Sequence, residues 1–268
     1  MTDFTSPRAA RLSAARRLSK RSFRAQDRAF LAEGPQAISE AVNAQGVLRE
    51  VFYTSSVAAK LPDLLEAVRA SGAQMHTVAE TVLDSLAQTI TPQGIIGVCS
   101  FIDVPLEQSL TTKSKLVSIL ANVRDPGNAG TVIRCSDAAG ADAVIVAGES
   151  VDPYNAKAVR ASAGSLFHLP LSVGVSVAQA IAQAKQAGLQ VFAADGGGSA
   201  TLDQRQIVSA MAQPTAWVFG NEAWGLPEDI LQLCDEVVAV PIYGQAESLN
   251  LGTAAAVCLY ASAREQRS

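Results

Sequence analysis

Two histidines and four cysteines are all that this 268-residue chain offers of the side chains that ligate transition metals or act as thiol nucleophiles. Cys99, Cys135, Cys234 and Cys258 stand far apart with no CxxC spacing, which argues against a zinc site and against a disulfide framework. They read as buried free thiols. His76 and His168 are too isolated for metal ligation or a hydrolase triad. No apolar run reaches the roughly eighteen residues that a membrane span requires. The arginines near the amino terminus are followed by no apolar stretch, so a secretory signal is not expected and the chain reads as cytoplasmic. Neither GxGxxG nor GxxxxGK[ST] occurs. The glycine-rich stretch from Asp195 to Ser199 follows an apolar run but leads into no clear apolar helix, and reads as a flexible turn rather than a dinucleotide loop.

Charge is scarce too, at 17% against 49% hydrophobic, which describes a globular chain of one or two domains with a real core. The formal charge of −4 hides an asymmetry. Residues 1–30 hold eight basic side chains, Arg8, Arg11, Arg16, Arg17, Lys20, Arg21, Arg24 and Arg28, against Asp3 and Asp27. That is +6, and leaves −10 for the rest. A basic arm on an acidic body is a common way to meet phosphates, with a merely solvated terminus as the alternative.

Past this arm, taken as 1–29, short apolar runs alternate with helical stretches. Residues 30–101 read as a small α/β domain, with a TPQGI turn at 91–95 leading into its last strand, and 102–114, rich in Pro, Thr, Ser and Lys, as a linker. From 115 to 268 the alternation resumes: strands at 115–122, 142–148, 166–173, 189–195, 215–220 and 236–242, helices between them, a helical stretch at 154–163, and an apolar terminal helix. Such alternation implies an α/β fold, a mostly parallel sheet covered by helices on both faces. Ligands of such sheets bind beyond the carboxyl ends of the strands. Three loops fall there: Asp125 to Asn128, Gly220 to Trp224, and Tyr243 to Glu247.

The stretches that contain these loops carry the chemistry. In NVRDPGNAGTVIRCSDAAG (122–140), Asn128 opens a helix whose positive end suits a phosphate or a polarised oxygen, and Arg134 lies within it. Arg134 needs a partner, either a carboxylate such as Asp137, Asp142 or Glu222, or an RNA phosphate or ribose. In VFGNEAWGLP (218–227), Gly220 lets backbone approach a ligand and Glu222 is a carboxylate between apolar neighbours. In VPIYGQAESLNLGTAAAVCLY (240–260), Ser248 is positioned to cap the terminal helix, which leaves Asn250 and the Tyr243–Gly244 turn unexplained.

In this order the three stretches resemble the motifs of the SpoU (TrmH-type) RNA 2′-O-ribose methyltransferases of the SPOUT superfamily. The resemblance covers residues 115–268, and more loosely 30–101, which is similar to the small L30e-like substrate-binding domain many members carry. It implies an α/β trefoil knot at the C-terminus, a homodimer, and methyl transfer from S-adenosylmethionine to a ribose 2′-hydroxyl without a metal. Arg134, Asn128, Glu222, Ser248 and Asn250 are then the catalytic set, and Gly220, Ile242 and Leu251 hold the cofactor. Within that set Glu222 braces the site by holding Arg134 or Asn128. Cys135, Ala139 and Gly252 depart from the usual pattern without removing a polar motif residue. Analogy favours ribosomal over transfer RNA. A non-catalytic RNA-binding relative, or an unrelated nucleotide-binding enzyme built on the glycine-rich turn, are the competing readings.

Overall fold

The computed structural model describes residues 10–268, so Arg8 and Asp3 of the basic arm lie outside the described residues. Its elements run α1 (Ala10–Arg17), α2 (Arg21–Asp27), β1 (Ala29–Glu33), α3 (Pro35–Asn43), β2 (Leu48–Tyr53), α4 (Ser55–Lys60), α5 (Pro62–Ala70), β3 (Gln74–Thr77), α6 (Glu80–Asp84), β4 (Ile95–Ser100), α7 (Leu106–Ser109), β5 (Leu116–Ala121), α8 (Pro126–Ala138), β6 (Ala143–Ala147), α9 (Ala156–Ala161), β7 (Leu171–Val175), α10 (Val177–Gln186), β8 (Gln190–Ala194), β9 (Ala200–Thr201), α11 (Arg205–Met211), β10 (Thr215–Phe219), α12 (Glu228–Leu231), β11 (Glu236–Ala239) and α13 (Leu251–Glu265). They form two compact units. One runs to Ile102 and also takes Tyr154–His168; the other comprises Asp103–Pro153 and Leu169–Ser268.

The first unit is built on a four-stranded sheet of order β1-β4-β2-β3, antiparallel except for the β2/β3 pair. The segment set apart as an arm is folded into it: Leu12, Ala15 and Leu18 are buried in one cluster with Leu31, Phe52, Val82 and Ile96. Residues 154–168, expected in the catalytic domain, belong here as well. The reason is aromatic: Tyr154 stacks on Phe101 at 3.9 Å between centroids, and Phe167 on Phe30 at 5.9 Å. The strand expected over 166–173 is accordingly shorter. Ser165–Phe167 is a 3-10 turn, and β7 begins at Leu171, after Pro170, which has no N–H to give a ladder.

In the second unit seven parallel strands lie in the order β7-β6-β5-β10-β8-β11-β9. All residues of β5, β6 and β10 are buried, as expected of strands covered on both faces. The expected linker is part of this unit. Leu106 and Leu110 are buried in its core, and Ser172 joins Ser109 (2.6 Å) and the Val104 carbonyl (2.7 Å), pinning 103–110 to β7. Opposite, α13 packs on α8, and Trp217 of β10 donates its indole N–H to Ser262 at 2.9 Å. Strand order reverses around β10: the chain moves outward from β5 through β6 to β7, then crosses to β8 and returns to place β10 between β5 and β8. Crevices at such reversals are where ligands of parallel sheets bind.

Candidate functional site

The loops that leave β5, β8, β10 and β11 enclose a cavity of about 560 Å³ at that reversal. Of the residues expected to act, Asn128, Gly220, Glu222, Ile242, Ser248, Asn250 and Leu251 line it. Arg134 does not.

The order of the site begins with Asp125. Its carboxylate caps α8 by accepting the Asn128 main-chain N–H at 2.8 Å. The helix end expected to receive a phosphate at Asn128 is therefore already satisfied by the chain itself. Asn128 lies inside the first turn, and its side chain is free to turn toward the cavity. Its Nδ2 donates to Glu222 Oε1 at 3.1 Å, and its Oδ1 accepts from Asn250 Nδ2 at 3.0 Å. Asn250, not Ser248, is the cap of α13, its Oδ1 accepting the Gly252 N–H at 2.9 Å. One amide thus ends a helix and faces the motif opposite. Three motifs far apart in sequence are joined by the chain Asn250–Asn128–Glu222.

Glu222 is the hub of this chain. Beyond Asn128, its oxygens accept the main-chain N–H groups of Arg124 and Asp125, each at 3.1 Å. Burial alone would raise its pKa, but the hydrogen bonds from Asn128, Arg124 and Asp125 outweigh that and hold it below the usual carboxylate range. Of the two partners expected for Glu222, it takes Asn128 and leaves Arg134. Neighbouring Asn221, buried, fastens the same two loops by donating to the Asn122 carbonyl at 2.9 Å. At Gly220 a Cβ would fall 2.6 Å from the Gly225 carbonyl carbon and oxygen, so any other residue would push the loop out of shape.

Two polar groups are left over. Ser248 and Arg134 are exposed, and neither has a hydrogen bond or ion pair among the described residues. Arg134 needs no carboxylate, since it is not buried; Asp142 is engaged with the Lys115 and Leu116 N–H groups instead. Six positions past Asn128 on α8, it emerges about 9 Å along the axis and on another face.

Asp195 and Gly196, read in the sequence as a flexible turn, line the cavity as well. The signal was present: they follow β8 as the three motif loops follow their strands, and the same strand-end rule applied to all four would have included them. With Glu222 and Glu247, Asp195 makes three carboxylates in the cavity wall, and the wall has no basic side chain. That donor set fits a ligand bearing positive charge, as S-adenosylmethionine does on its sulfonium and ammonium groups. His76 and His168 lie elsewhere, in the first unit, paired with Glu50 at 3.0 Å and Glu40 at 3.1 Å. Among the described residues no three His, Cys, Asp or Glu side chains cluster to hold a metal ion. All four cysteines are free. Burial pushes the Cys234 thiol up to about 11 and Cys258 up to about 12, so neither is reactive near neutral pH.

Residues 115–260 match the model of the SpoU rRNA methylase family. The chain belongs to that family. Residues 10–97 match the MRM3-like substrate-binding domain. The 23S rRNA (guanosine(2553)-2′-O)-methyltransferase RlmP of Bacillus subtilis (strain 168) is 33% identical over 91% of this chain and 92% of its own. The 23S rRNA (guanosine-2′-O-)-methyltransferase RlmB of Bordetella pertussis is 30% identical over 82% and 90%. Among solved structures, the AdoMet-bound rRNA methyltransferase of Sinorhizobium meliloti superposes with a TM-score of 0.84 at 28% identity, covering 98% of this chain and 97% of that one. The SpoU methyltransferase AviRb of Streptomyces viridochromogenes, in complex with AdoMet, gives 0.83 at 30% over 97% and 99%. As a SpoU member the chain is an S-adenosylmethionine-dependent RNA methyltransferase with an N-terminal substrate-binding domain.

Proposed function

We propose that this chain methylates a ribose 2′-hydroxyl of ribosomal RNA, and that the cavity at the strand reversal holds S-adenosylmethionine against backbone at Gly220, Ile242 and Leu251. The observation that carries this reading is the Asn250–Asn128–Glu222 chain, which ties the three motif loops around a cavity walled by carboxylates. S-adenosylmethionine supplies an already activated methyl group, so the protein's share is alignment, which alone can contribute roughly 7–11 kcal/mol.

In this reading the tied residues hold the frame and the untied ones meet the RNA. Ser248 orients the ribose hydroxyl. Arg134 fixes that hydroxyl and a nearby phosphate; as a guanidinium it stays protonated, so the proton leaves to a phosphate or to water. Arg134 stands off the cavity of its own chain and is unpaired. Val257 and Tyr260, on the helix packed against α8, are also exposed. These facts support a homodimer in which one copy's Arg134 serves the other's cavity. A knotted C-terminal segment, a cytoplasmic location, an RNA-binding front unit and a methyltransferase second unit complete the proposal.

The test is methyl transfer from labelled S-adenosylmethionine to 23S rRNA and to bulk transfer RNA, with mapping of new 2′-O-methyl positions. Incorporation into 23S rRNA at one nucleotide is expected, with cofactor affinity unchanged in excess EDTA. Incorporation confined to transfer RNA would overturn the ribosomal assignment, and absence of transfer to any RNA would overturn the activity.

A further inference from the structure

The first unit contains a second cavity, of about 250 Å³, that methyl transfer leaves unused. It is lined by Glu33 at the end of β1, by Thr89, Thr91 and Gln93 of the segment between α6 and β4, and by Arg160 of α9. The Glu33 side chain is 5% exposed. Its Oε1 accepts the Gln88 N–H at 3.0 Å and faces Arg160 Nη1 at 3.4 Å. Its Oε2 is buried and has no hydrogen-bond partner among the described residues. A native fold rarely retains such an oxygen without some group to satisfy it, least of all on a carboxylate.

The surroundings narrow down what that group is. A carboxylate wall repels phosphate, so an RNA backbone is the wrong ligand. An N–H donor is needed at Oε2, and Arg160, which already donates to Oε1 and is a third exposed, has further N–H groups to offer an acceptor beside it. The Gln93 amide makes no hydrogen bond among the described residues. It rests on Gly34, where a Cβ would sit 2.6 Å from its Oε1. On the same segment Ile90 is fully exposed. Because Oε2 is sealed from bulk water, the donor must arrive on a group that enters the cavity and displaces residues 89–93, whose side chains are mostly free to move.

We propose that this cavity receives an unpaired guanine base of the RNA substrate, an inference that rests on the RNA-modifying role proposed above. Guanine presents two neighbouring N–H donors, N1 and the 2-amino group, beside a carbonyl. The donors meet Glu33 Oε2 and the carbonyl meets the Arg160 guanidinium. Uracil sets a single N–H between two carbonyls. Adenine and cytosine place an amino group beside a ring nitrogen that bears no hydrogen.

The experiment uses the full chain and fluorescence anisotropy at fixed ionic strength, with S-adenosylhomocysteine saturating the cofactor site. The probes are labelled ten-nucleotide uridine RNAs carrying one central guanosine, inosine or adenosine, or none. Guanosine is expected to bind at least tenfold tighter than all-uridine, and inosine, which lacks the 2-amino group, several-fold weaker than guanosine. Glu33→Gln should bring the guanosine and inosine probes within twofold. Thr91→Trp, at an exposed position that does not threaten folding, should abolish the preference by filling the entrance. No guanosine preference in the wild type, or a preference that survives Thr91→Trp, overturns the proposal. Methyl transfer to 23S rRNA measured on the same preparation separates the two readings: transfer without guanine preference sinks this one alone.

Discussion

Arg24 and Arg134 show how differently the two units use positive charge. Arg24, in the basic N-terminal segment, is 3% exposed and spends its guanidinium on the carbonyls of Leu18 and Ser19 at 2.8 and 2.9 Å. Arg16 similarly reaches the Ser85 carbonyl and hydroxyl, and Arg11 is held by Glu50 and Gln74. Three cations of what looks like a phosphate-binding arm are thus internal struts; Arg17 and Arg28 lie exposed over the rings of Phe23 and Phe101, and Lys20 and Arg21 are exposed as well. In the second unit Arg134 is exposed and has no hydrogen bond or ion pair among the described residues, while Asn128, Glu222 and Asn250 are tied to one another. Counting charges along a sequence cannot separate a strut from a reagent; burial and hydrogen-bond partners can.

The sharpest way to break this contrast is Arg134→Ala. Single-turnover methylation should fall at least ~100-fold, as for removal of a donor to the reacting group. Melting temperature and cofactor affinity should stay close to wild type, because Arg134 supports nothing in the fold. Arg134→Lys should be nearly as inactive, since an ammonium lacks the planar fork. An active but destabilised Arg134→Ala would reverse the assignment of strut and reagent.

Arg24→Ala should behave oppositely, losing roughly 2–3 kcal/mol in denaturant titrations as charge-assisted bonds to two carbonyls disappear. The salt dependence of RNA binding should not move. For Glu222→Gln a smaller loss is expected, about 1–2 kcal/mol, because an amide nitrogen then faces N–H groups where oxygen stood. Its pH signature is specific. The lowered pKa of Glu222 means that its contribution is full above the ordinary carboxylate range, near about 4.3, and is lost as pH falls through the lowered value. The stability gap between wild type and variant should be constant at neutral pH and close in acid. A gap that persists there would mean that Glu222 is not the hub. The mildest change is the pair Lys20→Ala and Arg21→Ala. Each should reduce the log–log salt slope of RNA binding by about one and leave stability within about 0.5 kcal/mol.

The catalytic fold was legible because period and punctuation agree with it. The buried strands β5, β6 and β10 are almost wholly apolar runs, and the three motif loops follow β5, β10 and β11. Membership of the cavity was legible for Asn128, Glu222, Ser248 and Asn250 from the motifs. What could not be read was direction. Whether Glu222 holds Asn128 or Arg134, and whether Ser248 or Asn250 caps α13, depends on where loops far apart in sequence meet. The segment 102–114 looked like a linker because its polar residues outnumber Leu106 and Leu110, yet those two leucines decide the place of 103–114. Residues 154–168 carry a helical pattern that fits either unit, and only the company of Tyr154 and Phe167 assigns them.

That last segment has a consequence for how such proteins can be recombined. The chain passes from one unit to the other at 102–103, again at 153–154, and back at 168–169. Grafting the front unit of a relative onto this catalytic unit with a single junction near residue 103 would leave the native 154–168 facing a foreign partner, with Tyr154 and Phe167 deprived of Phe101 and Phe30. A working chimaera needs that internal piece exchanged together with the front unit. The front unit in this architecture is therefore encoded in two separated stretches of gene, and a single crossover cannot transfer it whole.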